Sequence, residues 1–336
     1  MARSATILGC EGLDLNRSER AFFRDADPWG FILFARNVES PDQLRRLTGD
    51  LRDAVGRAAL ITIDQEGGRV QRLRAPHFRE WLPPLDQMDQ TASEGRDRAI
   101  WLRYRLIAEE LRSVGIDSNC APSVDIAMDE THPFLKNRCF GRDVRTVAAA
   151  ARACAEGLLS GGVVPIMKHM PGHGRATLDS HLHLPVVDTD PETLRQTDFA
   201  AFRQLSDLPV GMTAHIRFTR LDDRPATQSP RVISLIRDEI GFDGLLVTDD
   251  LSMEALAGTL GERAARAIAA GCDLALYCKG ERVDAEAVVA GAGLMTPDAI
   301  ARADAALACR RPMPEAIDTA RLEAELQGLL QGRGHV

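Results

Sequence analysis

Residues 168–185 read Lys-His-Met-Pro-Gly-His-Gly-Arg-Ala-Thr-Leu-Asp-Ser-His-Leu-His-Leu-Pro. Four of the chain's eight histidines stand here: His169, His173, His181 and His183. Imidazole is the side chain that most readily transfers a proton near neutral pH, and it is also a common metal ligand. The stretch follows an apolar run, Val163–Met167, and exceeds the about 2–6 residues of an ordinary strand-to-helix turn. Pro171, Gly172 and Gly174 impose special backbone geometry on it. A loop that only connects two elements has no need of four histidines.

Three further clusters combine charge with a position just beyond an apolar run. Asp64-Gln65-Glu66-Gly67-Gly68-Arg69-Val70-Gln71-Arg72 pairs acids with two arginines around a Gly-Gly step, as a clamp for a polar ligand would. A salt-bridged turn accounts for that cluster equally well. Asp249 and Asp250 are adjacent carboxylates in Thr248-Asp249-Asp250-Leu251-Ser252-Met253. One is expected to attack while the other caps or orients a helix that starts near Ser252. Asn137-Arg138-Cys139-Phe140-Gly141-Arg142 holds a candidate ligand-binding guanidinium at Arg138, although on its own terms Arg138 reads more simply as a solvated surface arginine.

Eight short apolar runs are available to carry these clusters: Ala5–Gly9, Gly30–Phe34, Ala59–Ile63, Asp117–Ala121, Val163–Met167, Val210–His215, Gly244–Thr248 and Asp273–Tyr277. Their near-continuous apolarity fits parallel strands buried on both faces. Helical signals lie between them. Ser40-Pro41-Asp42-Gln43 reads as an N-cap, a proline at the first turn and a capping-box Gln, with Gly56 as the stop. Residues 93–114 and 146–160 are periodic, Thr189-Asp190-Pro191-Glu192 opens another helix, Ser229-Pro230 opens a run ending at Gly241, and 252–270 ends at Gly271. Residues 297–330 supply closing helices, and 331–336 is expected to fray. Eight strand-helix units predict one α/β domain over residues 1–336, a single (β/α)8 TIM-type barrel. In such a barrel the four clusters follow strands 3, 4, 5 and 7 and meet at one rim.

The 336-residue chain is long enough to bury a large core without disulfides or metals. Its net charge of −8 argues against nucleic acid or an anionic membrane surface as the main partner. Seven cysteines, an odd number without a Cys-x-x-Cys pair, fit buried free thiols in a reducing compartment. No signal peptide or apolar run of membrane-spanning length is apparent, so the expected location is the cytoplasm.

With these motifs in view, the sequence resembles glycoside hydrolase family 3, in particular the short bacterial β-N-acetylhexosaminidases of peptidoglycan recycling. The family's Lys-His-Phe-Pro-Gly-His-Gly, Asp-Ser-His and following Pro are matched within 168–185, with Met170 in place of Phe. Its Asp-Gln-Glu-Gly-Gly-Arg-Val-Gln-Arg is matched at 64–72, and its Thr/Ser-Asp-Asp-Leu-Ser-Met at 248–253. The resemblance runs from about residue 5 to 330. It implies Asp249 as nucleophile, Asp179 and His181 as an acid/base dyad, and Asp64, Arg72, Arg138, Lys168 and His169 as sugar-binding groups. It further implies a one-domain barrel without metal or cofactor that releases N-acetylglucosamine from 1,6-anhydro-muropeptides in the cytoplasm.

The chemistry is coherent on its own terms. Displacement at an anomeric carbon passes through an oxocarbenium-like transition state that a carboxylate can trap, while an acid on the other face protonates the leaving oxygen and later activates water. Histidine's unperturbed pKa near 6.5 suits a group that gives and takes one proton. On spacing alone His183 competes with His181, and the resemblance selects His181. Three other readings stand beside this one: a metal-dependent hydrolase built on His169–His183, a phosphorylase of the same glycosides, and a non-catalytic sugar-binding barrel. The loop 168–185 is expected to be the most mobile part of the rim, with Asp64 bonding a sugar opposite Arg72, Arg138 and Lys168.

Overall fold

The computed structural model describes residues 3–310 and 316–331, and its strands fall where the apolar runs lie. They are β1 (Ser4–Gly9), β2 (Pro28–Leu33), β3 (Leu60–Ile63), β4 (Ser118–Asn119), β5 (Val164–Met170), β6 (Val210–Thr213), β7 (Leu245–Asp250) and β8 (Leu274–Tyr277). All pair in parallel, in the order β3-β2-β1-β8-β7-β6-β5-β4. The two ends of that order meet. Asp117 N–H donates to Ile61 O at 3.1 Å and Cys120 N–H to Ile63 O at 2.9 Å. Side chains complete the seam, with Asp117 accepting from Ile61 N–H (2.8 Å) and Asn119 exchanging bonds with both backbone groups of Gln65 (3.0 Å each). These side-chain bonds replace a regular ladder, which is why β4 is only two residues long. The result is a (β/α)8 barrel.

The helices alternate with the strands: α1 (Arg17–Ala26), α2 (Pro41–Val55), α3 (Arg96–Ser113), α4 (Val144–Ser160), α5 (Asp198–Arg203), α6 (Pro230–Asp238), α7 (Leu260–Ala270) and α8 (Arg282–Ala292). Two more, α9 (Pro297–Ala308) and α10 (Thr319–Gln331), follow the last unit, and the expected fraying beyond Gln331 concerns residues outside those described. Ser40 caps α2 by accepting from Gln43 N–H, and Gly56 ends it in the left-handed region. Gln43 does not close a capping box. Its amide reaches Leu13 O and Asn37 O instead, tying α2 to the loop after β1. Small residues let α3 and α4 approach: a Cβ at Gly157 would lie 2.6 Å from Trp101 O. One continuous core of Leu, Ile, Val and Ala runs through strands and helices alike, and no helix among the described residues is long and apolar enough to cross a membrane.

Several boundaries differ from the sequence reading, and three matter for the site. Strand β7 runs on through Asp249 and Asp250, past the expected end at Thr248. Strand β5 extends to Met170, so Lys168 and His169 stand on the strand and the loop proper is 171–185. The helix expected from Ser252 starts at Leu260. Asp250 accepts from Ser252 N–H (3.0 Å) and Ser252 Oγ (2.6 Å), which folds 251–253 into a turn. The helix start is instead the capping box of Thr259 and Glu262, preceded by Gly258 at φ +92°.

Candidate active site

The C-terminal ends of the strands open into a cavity of about 310 Å3, lined by Asp64, Arg72, Arg138, Lys168, His169, His181 and Asp249, with Asp179 bonded behind His181. Every site residue expected from sequence is therefore at this one rim. Four come directly from strand ends: Lys168 and His169 on β5, Asp249 on β7 and Asp64 one residue past β3.

The cationic groups form an ion-pair network. Lys168 Nζ lies 2.7 Å from Asp64 and 2.6 Å from Glu66, and Arg72 lies 3.0 Å from Asp64. Asp64 is thus held between Arg72 and Lys168 rather than facing them across the cavity. Arg138 is buried, not a solvated surface arginine, and it grips Glu66 through two bonds, Nε at 2.9 Å and Nη2 at 2.8 Å. Burial alone would push the Glu66 carboxyl up, but Arg138 and Lys168 outweigh it and hold the group at about 2. Asp64 is held below the usual carboxylate range by Lys168 and Arg72 against the same burial. Burial works against the charge on Lys168, and the two carboxylates raise it above the ordinary lysine range. These cations are fixed before any ligand arrives, so little side-chain entropy is lost on binding.

Behind this network His169 Nδ1 donates to Asp125 Oδ2 (2.6 Å) and His169 Nε2 accepts from Arg138 Nη2 (3.3 Å). Asp125 also accepts from His173 N–H at 2.6 Å and Ser123 Oγ at 3.1 Å. His173 is buried against the His169 ring, and neither of its ring nitrogens has a protein partner. Burial and the neighbouring His169 push its pKa down to about 4, so it is a neutral ring on the cavity wall. Gly174 is required here, because a Cβ would collide with the Ile126 carbonyl.

Asp249 and Asp250 are separated chemically by their surroundings. Asp249 accepts from Asp250 N–H (2.8 Å) and otherwise faces the cavity. Burial pushes it up, but His169, His215, that N–H and Lys168 prevail and keep it below the usual range. Asp250 is committed to the scaffold through Ser252 and Cys278 N–H (3.2 Å), and burial leaves it raised. His215 fixes the same strand end, with Nε2 on Asp250 O (3.0 Å) and Nδ1 on Thr227 (2.8 Å). With Asp250 committed to the scaffold, Asp249, held below the usual carboxylate range and open to the cavity, is the candidate nucleophile.

Opposite comes the loop after β5. His181 Nδ1 lies 2.7 Å from Asp179, which also accepts the His181 N–H at 3.0 Å. With Nδ1 taken, Nε2 is the free ring nitrogen. His183 is exposed and absent from the cavity wall, whereas His181 lines it. The four histidines are thus split between a buried pair and an exposed pair, and among the described residues no three His, Cys, Asp or Glu side chains are grouped to hold a metal ion.

The family model for the Glycosyl hydrolase family 3 N terminal domain matches residues 8–304. The chain belongs to glycoside hydrolase family 3. Its relatives include a Beta-hexosaminidase of Methylococcus capsulatus, 39% identical over 272 residues and covering 80% of each chain. Another Beta-hexosaminidase, from Methylobacillus flagellatus, is 36% identical over 288 residues, covering 83% of this chain and 81% of its own. Among solved structures, NagZ from Neisseria gonorrhoeae in complex with N-trifluoroacetyl-D-glucosamine superposes with a TM-score of 0.87 at 29% identity, covering 98% of this chain and 99% of that one. As a family 3 member the protein is a hydrolase of glycosidic bonds.

This family 3 site holds groups that sequence reasoning passed over. Glu66 lies inside the 64–72 cluster, where its type and spacing alone assign it no role. His215 closed an expected strand at the catalytic rim, the position that flags functional side chains in barrels. Asp125 follows the expected strand Asp117–Ala121 at short range. His173 was visible but not separated from its three neighbours. Phe134, on the short helix Pro133–Lys136, carried no signal at all.

Proposed function

We propose that the protein is a retaining exo-β-N-acetylglucosaminidase that removes terminal β-linked N-acetylglucosamine. The observation that carries this reading is that Asp249, from the end of β7, and His181, from the loop after β5, line one cavity together with the fixed cations Arg72, Arg138 and Lys168. A volume near the low end of the roughly 300–1,000 Å3 range for small-molecule sites supports recognition of a single terminal sugar. Likeness to proteins named Beta-hexosaminidase, and to a structure holding an N-acylated glucosamine, supports the choice of sugar.

In the first step an Asp249 oxygen attacks C1 while the C1–O bond to the leaving group breaks and His181 Nε2 gives that oxygen its proton. In the second, water gives a proton to the same nitrogen and attacks C1, and the C1–Asp249 bond breaks with net retention. Asp179 orients the ring and stabilises its protonated form. Asp64, Arg72, Arg138, Lys168 and His169 hold the sugar hydroxyls, and hydrogen bonds to charged groups contribute about 1.5–3 kcal/mol each. Both catalytic groups and the sugar-binding set belong to one barrel, so we take residues 1–336 as one catalytic domain. The natural substrates are inferred to be 1,6-anhydro-muropeptides in the cytoplasm, in keeping with seven free cysteines.

The test is leaving-group dependence. An alkoxide needs protonation and 4-nitrophenolate hardly does. His181→Ala should therefore slow single-turnover cleavage of a natural disaccharide far more than that of 4-nitrophenyl β-N-acetylglucosaminide. Equal slowing of the two would remove His181 from the acid/base role.

A further inference from the structure

The tie between Asp179 and His181 cannot by itself place the histidine. Asp179 is two residues away in the same tight turn, with Leu182 N–H and His183 N–H both donating to Asp179 O (3.1 and 3.0 Å). The dyad therefore moves as a unit with its loop. Residues 177, 178 and 181–183 are exposed, and the His181 side chain is about half exposed. Something outside the loop has to hold the dyad against the barrel. The backbone gives one such contact, Glu254 N–H to His181 O at 3.2 Å.

A second contact is aromatic. The Phe134 ring packs against the His181 imidazole with centroids 4.5 Å apart and planes at 70°. Phe134 comes from a different loop, and it is itself fixed. The Arg69 guanidinium lies over its ring at 3.6 Å, and Arg69 Nη2 donates to Phe134 O at 2.5 Å. His132 Nδ1 accepts the Phe134 N–H (3.2 Å), the next residue Leu135 is buried, and Arg138 at the end of this segment is locked on Glu66.

We propose that Phe134, braced by Arg69, is a positioning residue that fixes the His181 imidazole with its free Nε2 turned into the cavity. The inference rests on His181 being the acid/base of the proposed reaction. Phe134 transfers no proton. It restricts the ring and loop rotations that would carry Nε2 away from the glycosidic oxygen, and edge-to-face packing suits both the neutral and the protonated ring. Phe134 also lies 5.3 Å from the Arg138 guanidinium, but Arg138 is held in place by its two bonds to Glu66, so the sugar-binding groups depend on Phe134 far less than His181 does.

The experiment compares Phe134→Ala, Phe134→Tyr and Arg69→Ala with His181→Ala. Each is measured in single-turnover cleavage of an N-acetylglucosaminyl disaccharide and of 4-nitrophenyl β-N-acetylglucosaminide, with binding of free N-acetylglucosamine and thermal unfolding followed alongside. Phe134→Ala should slow the disaccharide by roughly ten-fold, the factor that about one aromatic contact is worth, and the aryl substrate by clearly less. Affinity for N-acetylglucosamine should change much less than the disaccharide rate, since Arg138 stays bonded to Glu66, Phe134→Tyr should restore the rate, and Arg69→Ala should shift rates in the same sense but less. The proposal is overturned if Phe134→Ala has no effect, or slows both substrates equally, while His181→Ala discriminates between them. If Phe134→Ala unfolds, Arg69→Ala decides by the same ratio. If His181→Ala itself shows no leaving-group dependence, the acid/base reading has failed and the positioning role falls with it.

Discussion

Asp249 and Asp250 carry the same carboxyl group one peptide apart, and their neighbours divide the work between them. Asp250 spends its oxygens on Ser252 and Cys278, while Asp249 is left with one backbone donor and an open face on the cavity. His173 shows how strongly the same surroundings act on a neutral group. Its folded-state pKa is depressed to about 4, against about 6.5 when unfolded. Above pH 6.5 both states are neutral at this site and it contributes no pH dependence. As pH falls from 6.5 towards 4 the unfolded chain takes up a proton that the folded protein refuses, so stability falls by roughly 3 kcal/mol over that window and levels below it. Urea unfolding of wild type and His173→Phe at pH 7, 5.5 and 4 should therefore give curves whose stability difference shrinks or reverses in the variant's favour as pH drops, and parallel curves would refute the assignment. Arg138 makes the complementary case. Arg138→Ala leaves Glu66 buried with Lys168 alone, and breaking a buried pair on one side costs on the order of 3 kcal/mol. A lower melting temperature should accompany a one- to two-order loss in kcat/KM, and Arg138→Lys should recover little of either because lysine cannot make the two-point grip.

The loop after β5 divides into two parts with different jobs. Through Ala176 it is largely buried and bonded to Asp125, Thr131 and His132. From Thr177 to His183 it is mostly exposed, carrying Leu178 and Leu182 into solvent. Hydrogen exchange should accordingly be fast over 177–184 and slow over 164–174, and uniform protection across 168–185 would contradict this division. The sequence pointed to the whole stretch as mobile because loop length and glycine count do not reveal which backbone groups are paired. Strand positions were legible, since parallel strands buried on both faces appear as apolar runs. Strand ends were not: β5 continues through Lys168 and His169, polar residues that face a cavity rather than solvent, and β7 continues through Asp249 and Asp250. The start of α7 was misplaced because Ser252 resembles an N-cap, and only the bonds to Asp250 show that it closes a turn. The partners Glu66–Arg138 and Asp125–His169 join segments 72 and 44 residues apart, a pairing no local pattern encodes.

At the scale of the molecule, barrel closure is what turns scattered motifs into one site. The β3–β4 seam sets Asp64 and Glu66 beside the strand that carries Lys168, 104 residues further along the chain than Asp64. The chain is acidic overall at −8, yet its catalytic rim concentrates Arg72, Arg138 and Lys168. Their three charges are matched by those of Asp64, Glu66 and Asp249 at the same rim, so the rim offers hydrogen-bond donors for a neutral sugar rather than a field for an anion. Where the sugar becomes attached decides the mechanism. Incubation with a 5-fluoro N-acetylglucosaminyl fluoride, which keeps the 2-acetamido group and slows release of the trapped sugar, followed by proteolysis and mass spectrometry, reads that directly. The peptide containing Asp249 should gain the mass of one fluorinated N-acetylhexosaminyl residue, with the modification on Asp249 and none in the Asp249→Ala variant. A label on Asp250 or any other residue, or steady turnover of the reagent with inverted product and no labelled peptide, would contradict the mechanism.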